Sequence, residues 1–476
     1  MAFPVFDIPA QRARIDPDGC AFEDVASGAR VSYSELDRHT GQAAALLSTE
    51  GHRDGARVAI LCRNRIEFFV MLFACARTGA ILVPLNWRMP AAELEPLLRD
   101  CGARLLIHGR EDTEVARQLA SGALPLLDLD DSSAEGYAQR TRMIEPERPG
   151  TPRDAADTWY LLYTSGTTGR AKAVIQTFGM ALANYVNISQ AMGLSGNDRS
   201  LCFLPLFHTA GINLLALPLL IMGGTVLVTP GFDVEKTLDL IDEGRIDVMF
   251  AVPAVYQELS EHERFDRVDF SQIRSWGCGG APMPDALFQA FAKRGAIVLN
   301  GMGMTETGPT VFLMDKANAR HKIGSVGKPQ ILSDVRLVGP DGRDVPDGAD
   351  GELWFAGPGI TPGYYCQPEA TREAFAEGCW LRSGDLGRRD ADGYYYVVGR
   401  LKDMFISGGE NVYPAEVENQ LTDHPDILEA AVIGIPDSQW GEVGCAFLRT
   451  KPLESPPSTE TLVTWLRGRL APYKVP

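Results

Sequence analysis

The sequence predicts an α/β protein: a large N-terminal domain of αβα layered sheets with a β-rich subdomain, then a small α+β C-terminal domain. Three observations predict this. From about residue 31, amphipathic helical runs alternate with short apolar runs, a rhythm that builds a parallel sheet with helices on its faces. After Lys316 the texture changes to short strands separated by Asp-Gly pairs, which reads as β-rich. A last unit with its own helix and strand patterns starts near Gly399-Arg400. The expected domains are 1–399 and 400–476. A chain of 476 residues has room for them, since domains hold roughly 100–200 residues each.

Ser34 is placed to cap a helix that runs to Ser48. Residues 57–61 (RVAIL) read as a strand, 67–77 as a helix, 80–85 as a buried strand, 91–101 as a helix and 104–107 as a strand. A proline- and charge-rich stretch, 145–157, interrupts the rhythm. It resumes with strands at 159–163, 226–228 and 248–252 and helices at 178–192 and 234–244. Asp341-Gly342, Asp350-Gly351 and Asp392-Gly393 read as turns. The last unit is expected to hold helices at 415–421 and 460–470 and a strand at 429–434.

The composition, 45% hydrophobic and 22% charged, is that of a soluble globular chain. A net charge of −17 repels nucleic acid and anionic membranes, which removes both as expected partners. Any anion site must therefore rest on local donors. The nine cysteines are widely spaced and include no C-x-x-C pair, which argues against a disulfide framework or a zinc site and for a reducing compartment. The N-terminus lacks a basic segment followed by an apolar one. The most apolar stretch, 214–228, is broken by Pro218 and Gly223-Gly224, too short to span a bilayer. The expected location is the cytoplasm.

One segment carries chemistry. Tyr163-Thr164-Ser165-Gly166-Thr167-Thr168-Gly169-Arg170-Ala171-Lys172 follows an apolar strand. Glycine lets backbone N–H groups turn toward an anion, hydroxyls add donors, and Arg170 and Lys172 add positive charge. It does not fit the G-x-x-x-x-G-K-[ST] phosphate loop. Composition alone would also suit an ordinary surface loop.

This run resembles the signature loop of the adenylate-forming superfamily, which includes acyl-CoA and aryl-CoA synthetases, luciferases and the adenylation domains of peptide synthetases. It departs at Arg170-Ala171, where Gly/Lys/Ser-Pro is more usual. Five more segments are similar to that family in the same order: Leu204-Pro205-Leu206-Phe207-His208, Gly279-Gly280-Ala281-Pro282, Asn300 to Thr307, Ser383 to Gly387, and Gly399 to Pro414. The resemblance implies ATP, Mg²⁺ and coenzyme A as cofactors and a small carboxylic acid as substrate. It implies that Thr164, Ser165, Gly166, Thr167, Thr168, Gly169 and Lys172 hold the β- and γ-phosphates. Thr305 would donate to the α-phosphate and Glu306 would hold Mg²⁺, a hard cation suited to carboxylate and phosphate oxygens. His208 would gate the acyl pocket. Gly280, Ala281, Pro282, Asn300, Gly301 and Met302 would border adenine, with Met302 standing where an aromatic residue is usual. Asp385 would accept from the ribose hydroxyls, supported by Arg400. Lys402 would be the hinge of a rotating small domain, and Gly408 and Gly409 would line the pantetheine path.

The acyl pocket implied by the resemblance is lined by Thr209, Gly211, Gly277, Cys278, Gly303, Pro309, Val311 and Phe312. Gly277 and Gly303 would leave room for a flat or elongated group. No Lys or Arg stands out there to pair a second carboxylate. Gly308-Pro309 after Thr305-Glu306-Thr307 resembles coumarate–CoA ligases and bacterial relatives. The expected substrate is a hydrophobic monocarboxylate: a phenylpropenoate, a benzoate-type acid or a medium-chain fatty acid. A non-catalytic acyl- or nucleotide-binding protein and an adenylating enzyme with another acceptor are the alternatives. A homodimer is a family-level expectation. The family's small domain also carries a lysine in a Gly-Lys pair, and none follows Asn411. The expectation is that the chain stops before it. In that case residues 1–476 would adenylate poorly yet still thioesterify a supplied acyl-adenylate.

Overall fold

A computed structural model describes residues 3–120, 124–134, 136–164, 171–281, 283–376, 378–407, 410–437, 440–452 and 456–476, without the side chain of Asn411. Its central six-stranded sheet has the strand order Lys172–Thr177, Thr158–Thr164, Ile81–Pro84, Arg57–Leu61, Leu105–His108, Leu126–Asp128. The pairs are parallel except at one edge, where Lys172–Thr177 runs antiparallel to Thr158–Thr164. A second sheet is ordered Arg199–Cys202, Thr225–Val228, Cys20–Asp24, Arg30–Ser32. A third begins with the parallel strands Val248–Ala251, Ser275–Cys278 and Val298–Met302 and continues antiparallel into Phe312–Leu313 and Lys328–Pro329.

The helices Tyr33–Thr49, Ile66–Thr78 and Phe178–Met192 pack between these sheets because each buries a broad apolar face. Trp159, Phe73 and Phe178 form one aromatic contact chain in that core, and Trp276, Phe270 and Phe291 another. The β-rich part is a sheet of Asp334–Val338, Asp350–Ala356, Trp380–Arg389, Phe375–Ala376 and Tyr395–Arg400. The last unit pairs Glu410–Val412, Phe405–Ser407, Gly441–Thr450 and Ile427–Asp437, with the helix Pro414–Thr422 against the long hairpin. Among the described residues no helix is long and apolar enough to cross a membrane.

Four expectations change. Ser32, not Ser34, caps the first long helix: Glu35 N donates to Ser32 Oγ at 3.2 Å, and Ser32 N donates to Glu35 Oε2 at 2.8 Å. This reciprocal pair satisfies two orphan donors, which Ser34, already inside the first turn, cannot do. Asp350-Gly351 opens a strand rather than a turn. A Cβ on Gly351 would lie 2.9 Å from Val338 N, so glycine serves close strand approach there. The turn sits earlier, at Gly348, with φ +83°. The strands Lys172–Thr177 and Gly441–Thr450 were not expected. Each is the return arm of a hairpin whose pairing depends on its partner rather than on local pattern.

Candidate active site

Thr164 and Lys172 face each other as the last pair of the antiparallel hairpin. Ser165, Gly166, Thr167, Thr168, Gly169 and Arg170 lie outside the described residues. The strand that begins at Lys172 is tied to the Thr305-Glu306 turn. Gln176 Nε2 donates to Thr305 O at 2.9 Å. Residues 361–365 run beside the same strand: Ile175 N donates to Gly363 O, and Tyr365 N to Ala173 O. Thr361 N donates to Glu306 O at 2.8 Å.

This clamp sets Tyr364 between two charged groups. Its hydroxyl donates to Glu306 Oε1 at 2.9 Å, and Lys172 Nζ lies 4.8 Å from its ring centroid. Glu306 is only 6% exposed. Burial pushes its carboxyl above the usual carboxylate range, opposed by hydrogen bonds from its own backbone and Tyr364 and by the Lys172 charge, while Asp385 adds a small further rise. The Asp385 charge is thus felt at Glu306.

Asp385 is placed by sheet register. It stands opposite Arg400 across the Trp380–Arg389 and Tyr395–Arg400 strands, and Arg400 Nε lies 3.2 Å from Asp385 Oδ1. Gly384, at φ +73°, makes the bend before it and donates its N–H to Glu352 Oε1. Burial raises the Asp385 carboxyl above its ordinary value, with Arg400 pulling the other way. Lys402 is exposed in the turn that follows, where Leu401 N donates to Gly384 O and Asp403 N to Arg400 O. Gly408 and Gly409 lie outside the described residues.

On the adenine side, Asn300 stands opposite Cys278 on the neighbouring strand. Asn300 Nδ2 donates to Ser325 O at 3.2 Å, while its Oδ1 is buried with no hydrogen-bond partner among the described residues. An orphaned buried acceptor invites a donor, and an exocyclic amino group supplies one. Gly280, at φ +85°, and Ala281 are exposed at the end of the Ser275–Cys278 strand; Pro282 lies outside the described residues. Met302 is half-buried against the Val311, Phe312 and Phe355 cluster. A Cβ on Gly301 would lie 2.8 Å from Phe312 O, so this glycine serves strand packing.

The acyl side corrects several expectations. His208 starts the helix Thr209–Asn213 with its ring 4.5 Å from that of Phe207. Part of the ring is open to solvent. Crowding by protein first, and the Arg88 guanidinium second, hold its pKa below the ordinary value. Thr209 is buried with its hydroxyl accepting from Asn213 Nδ2, and Tyr160 OH donates to Asn213 Oδ1 at 2.9 Å. Gly211 meets backbone rather than open space: its Cβ would lie 2.3 Å from Pro205 O. The space at Gly277 is filled by the Phe250 ring, and that at Gly303 by the carbonyl of buried Pro309. Cys278, Val311 and Phe312 are core residues, at 0%, 1% and 0% exposure. The Cys278 thiol is pushed up to about 12 by burial.

Tyr364, Phe250, Tyr160 and Asn213 were missed, because tertiary contact alone distinguishes them. Only the Gly277/Gly279 spacing hints at Phe250, since two glycines on one strand face imply a large neighbour.

Among the described residues, no group of three or more His, Cys, Asp or Glu could hold a metal ion. The single, buried Glu306 carboxylate suits a hard cation that draws its other ligands from phosphate and water.

The AMP-binding enzyme family matches residues 10–365, and the AMP-binding enzyme C-terminal domain matches residues 416–476. A feruloyl-CoA synthase of Amycolatopsis sp is 42% identical over 469 residues, 98% of this chain and 93% of that protein. A long-chain-fatty-acid–CoA ligase of Mycobacterium tuberculosis is 34% identical over 469 residues, 98% of this chain and 92% of that protein. The solved structure of O-succinylbenzoate coenzyme A synthetase from Bacillus subtilis, in complex with ATP and magnesium ion, aligns with a TM-score of 0.88 at 30% identity, covering 100% of this chain and 95% of that one. The fold is that of the adenylate-forming enzymes, and the chain belongs to the AMP-binding enzyme family.

Proposed function

We propose that the protein is an ATP-dependent acid–CoA ligase. It joins a hydrophobic monocarboxylic acid to AMP with release of pyrophosphate, then passes the acyl group to coenzyme A. The observation that carries this reading is the buried Glu306 carboxylate, held by the Tyr364 hydroxyl with Lys172 on the Tyr364 ring.

Adenylation brings a carboxylate against the α-phosphate, so like charge must be offset and the in-line geometry held. Lys172 follows the segment that would grip the outer phosphates. Thr305, half-buried beside Glu306, offers its hydroxyl to the α-phosphate. A magnesium ion on Glu306 supplies charge neutralisation at the phosphates. Asp385 keeps one oxygen for ribose while Arg400 occupies the other. Asn300 Oδ1 accepts from the adenine amino group. Fixed donors of this kind act most strongly away from water, which is where Glu306 sits.

An aryl acid such as a phenylpropenoate, or a medium-chain fatty acid, is the substrate class in keeping with the two relatives above. All nine cysteines are free thiols, in keeping with a cytoplasmic enzyme. The test is product analysis on the full-length protein with a panel of acids, with and without coenzyme A. The expected products are acyl-CoA, AMP and pyrophosphate. Formation of ADP and phosphate, or no acid dependence, would refute the proposal.

A further inference from the structure

Phe250 lies in the strand Val248–Ala251, directly opposite Gly277 of the neighbouring strand. Its ring occupies the space that two glycines leave open: a Cβ at Gly277 would fall 2.3 Å from Phe250 Cδ2, and one at Gly279 would fall 3.2 Å from Phe250 Cζ. Phe250 also walls a small, partly open apolar hollow of about 20 Å³, bordered by Leu201, Leu204, Ala210, Leu214 and Val226. That space holds about one water at most. Its one polar wall atom of note, Ser200 Oγ, is buried without a partner among the described residues. One aromatic ring thus stands between the glycine-faced strand that leads to Asn300 and a hollow behind the helix Thr209–Asn213.

We infer that Phe250 is a partition that ends the acyl pocket and so sets the length of acid accepted. This rests on the reading of the chain as an acid–CoA ligase. With the ring in place over Gly277 and Gly279, a short or flat acid stops at the ring. Without it, that face becomes continuous with the hollow lined by Leu201, Leu204 and Leu214, and the site takes straight-chain aliphatic acids several carbons longer. Phe250 lies in a different sheet from Lys172, so the handling of ATP is expected to be separate from this effect.

The test compares wild type, Phe250→Ala and the milder Phe250→Leu on straight-chain acids from butanoate to tetradecanoate and on cinnamate, reading kcat/KM for acyl-CoA formation. One methylene in an apolar pocket changes kcat/KM by about tenfold or more. The expected result is a shift of the optimum to longer acids, with the ratio of long acid to cinnamate rising about tenfold or more and KM for ATP unchanged. A uniform fall with the optimum in place would overturn the partition. A second measurement reads packing without activity. Gly277→Ala should lower Tm, and adding Phe250→Ala should restore it in part; additive losses would also overturn the inference. Should wild type form acyl-CoA from no acid, the ligase reading fails and the partition falls with it, whereas an active wild type with unchanged selectivity in the variants sinks the partition alone.

Discussion

At the scale of single residues, the phenol of Tyr364 helps set how much of Glu306 is ionised. Burial raises the Glu306 carboxyl, and the Tyr364 hydrogen bond is one of the effects opposing that rise. The charged form, which would hold the proposed cation, is present in the metal-free protein only above that raised pKa, so acid-dependent loss of cation binding is expected to begin above the ordinary carboxylate range. Tyr364→Phe removes a lowering influence. The pKa rises further, and the acid limb of the rate profile moves to higher pH. A hydrogen bond to a charged group contributes about 1.5–3 kcal/mol, so the adenylation rate should fall about tenfold or more. Stopped-flow adenylation across pH checks both points; an unmoved limb would show that Tyr364 only packs. Glu306 and Asp385 stand out in the sequence as candidate site residues. Tyr364 does not, because it meets Glu306 across 58 residues of chain, and no local pattern records such a contact.

At the scale of elements, the helices at Ala91–Cys101 and Phe178–Met192 begin and end where the sequence predicts. Their ends carry strong local signals, with Gly102 and Gly193 in the left-handed conformation as terminators. The first long helix shows the limit of such signals, since Ser32 and Ser34 both lie within three positions of Glu35 and only the hydrogen bonds choose between them. Ser32→Ala should cost about 1 kcal/mol of stability, and Ser34→Ala less than about 0.5 kcal/mol, read by urea unfolding. Equal losses would contradict the capping box. The acyl wall was the least legible element. Gly277 and Gly303 look like open space in a sequence, but a neighbouring ring and a carbonyl fill that space. Glycine marks close approach without saying what approaches.

At the scale of the whole molecule, two facts bear on how the parts work together. The charge of −17 opposes every anionic substrate, so the proposed capture of ATP would depend on local groups such as Lys172 and Arg400. Burial, with the charge of Asp423 at the end of the helix Pro414–Thr422 as a lesser cause, holds Asp285 above its ordinary value. Repulsion of this kind suits the proposed rotation of the last unit. Lys402→Pro should therefore slow thioester formation from supplied acyl-adenylate about tenfold or more while changing adenylation less, because proline fixes φ where the hinge must turn. Parallel losses in the two half-reactions would remove Lys402 as the pivot.

The central claim is that a carboxylate attacks ATP in a cleft where Glu306 holds the cation. Exchange of labelled pyrophosphate into ATP by the full-length protein tests it most directly. The account predicts exchange that requires both acid and Mg²⁺, proceeds without coenzyme A, and is lost in Glu306→Gln. Exchange that persists in Glu306→Gln, or that is absent from wild type with every acid, would contradict it.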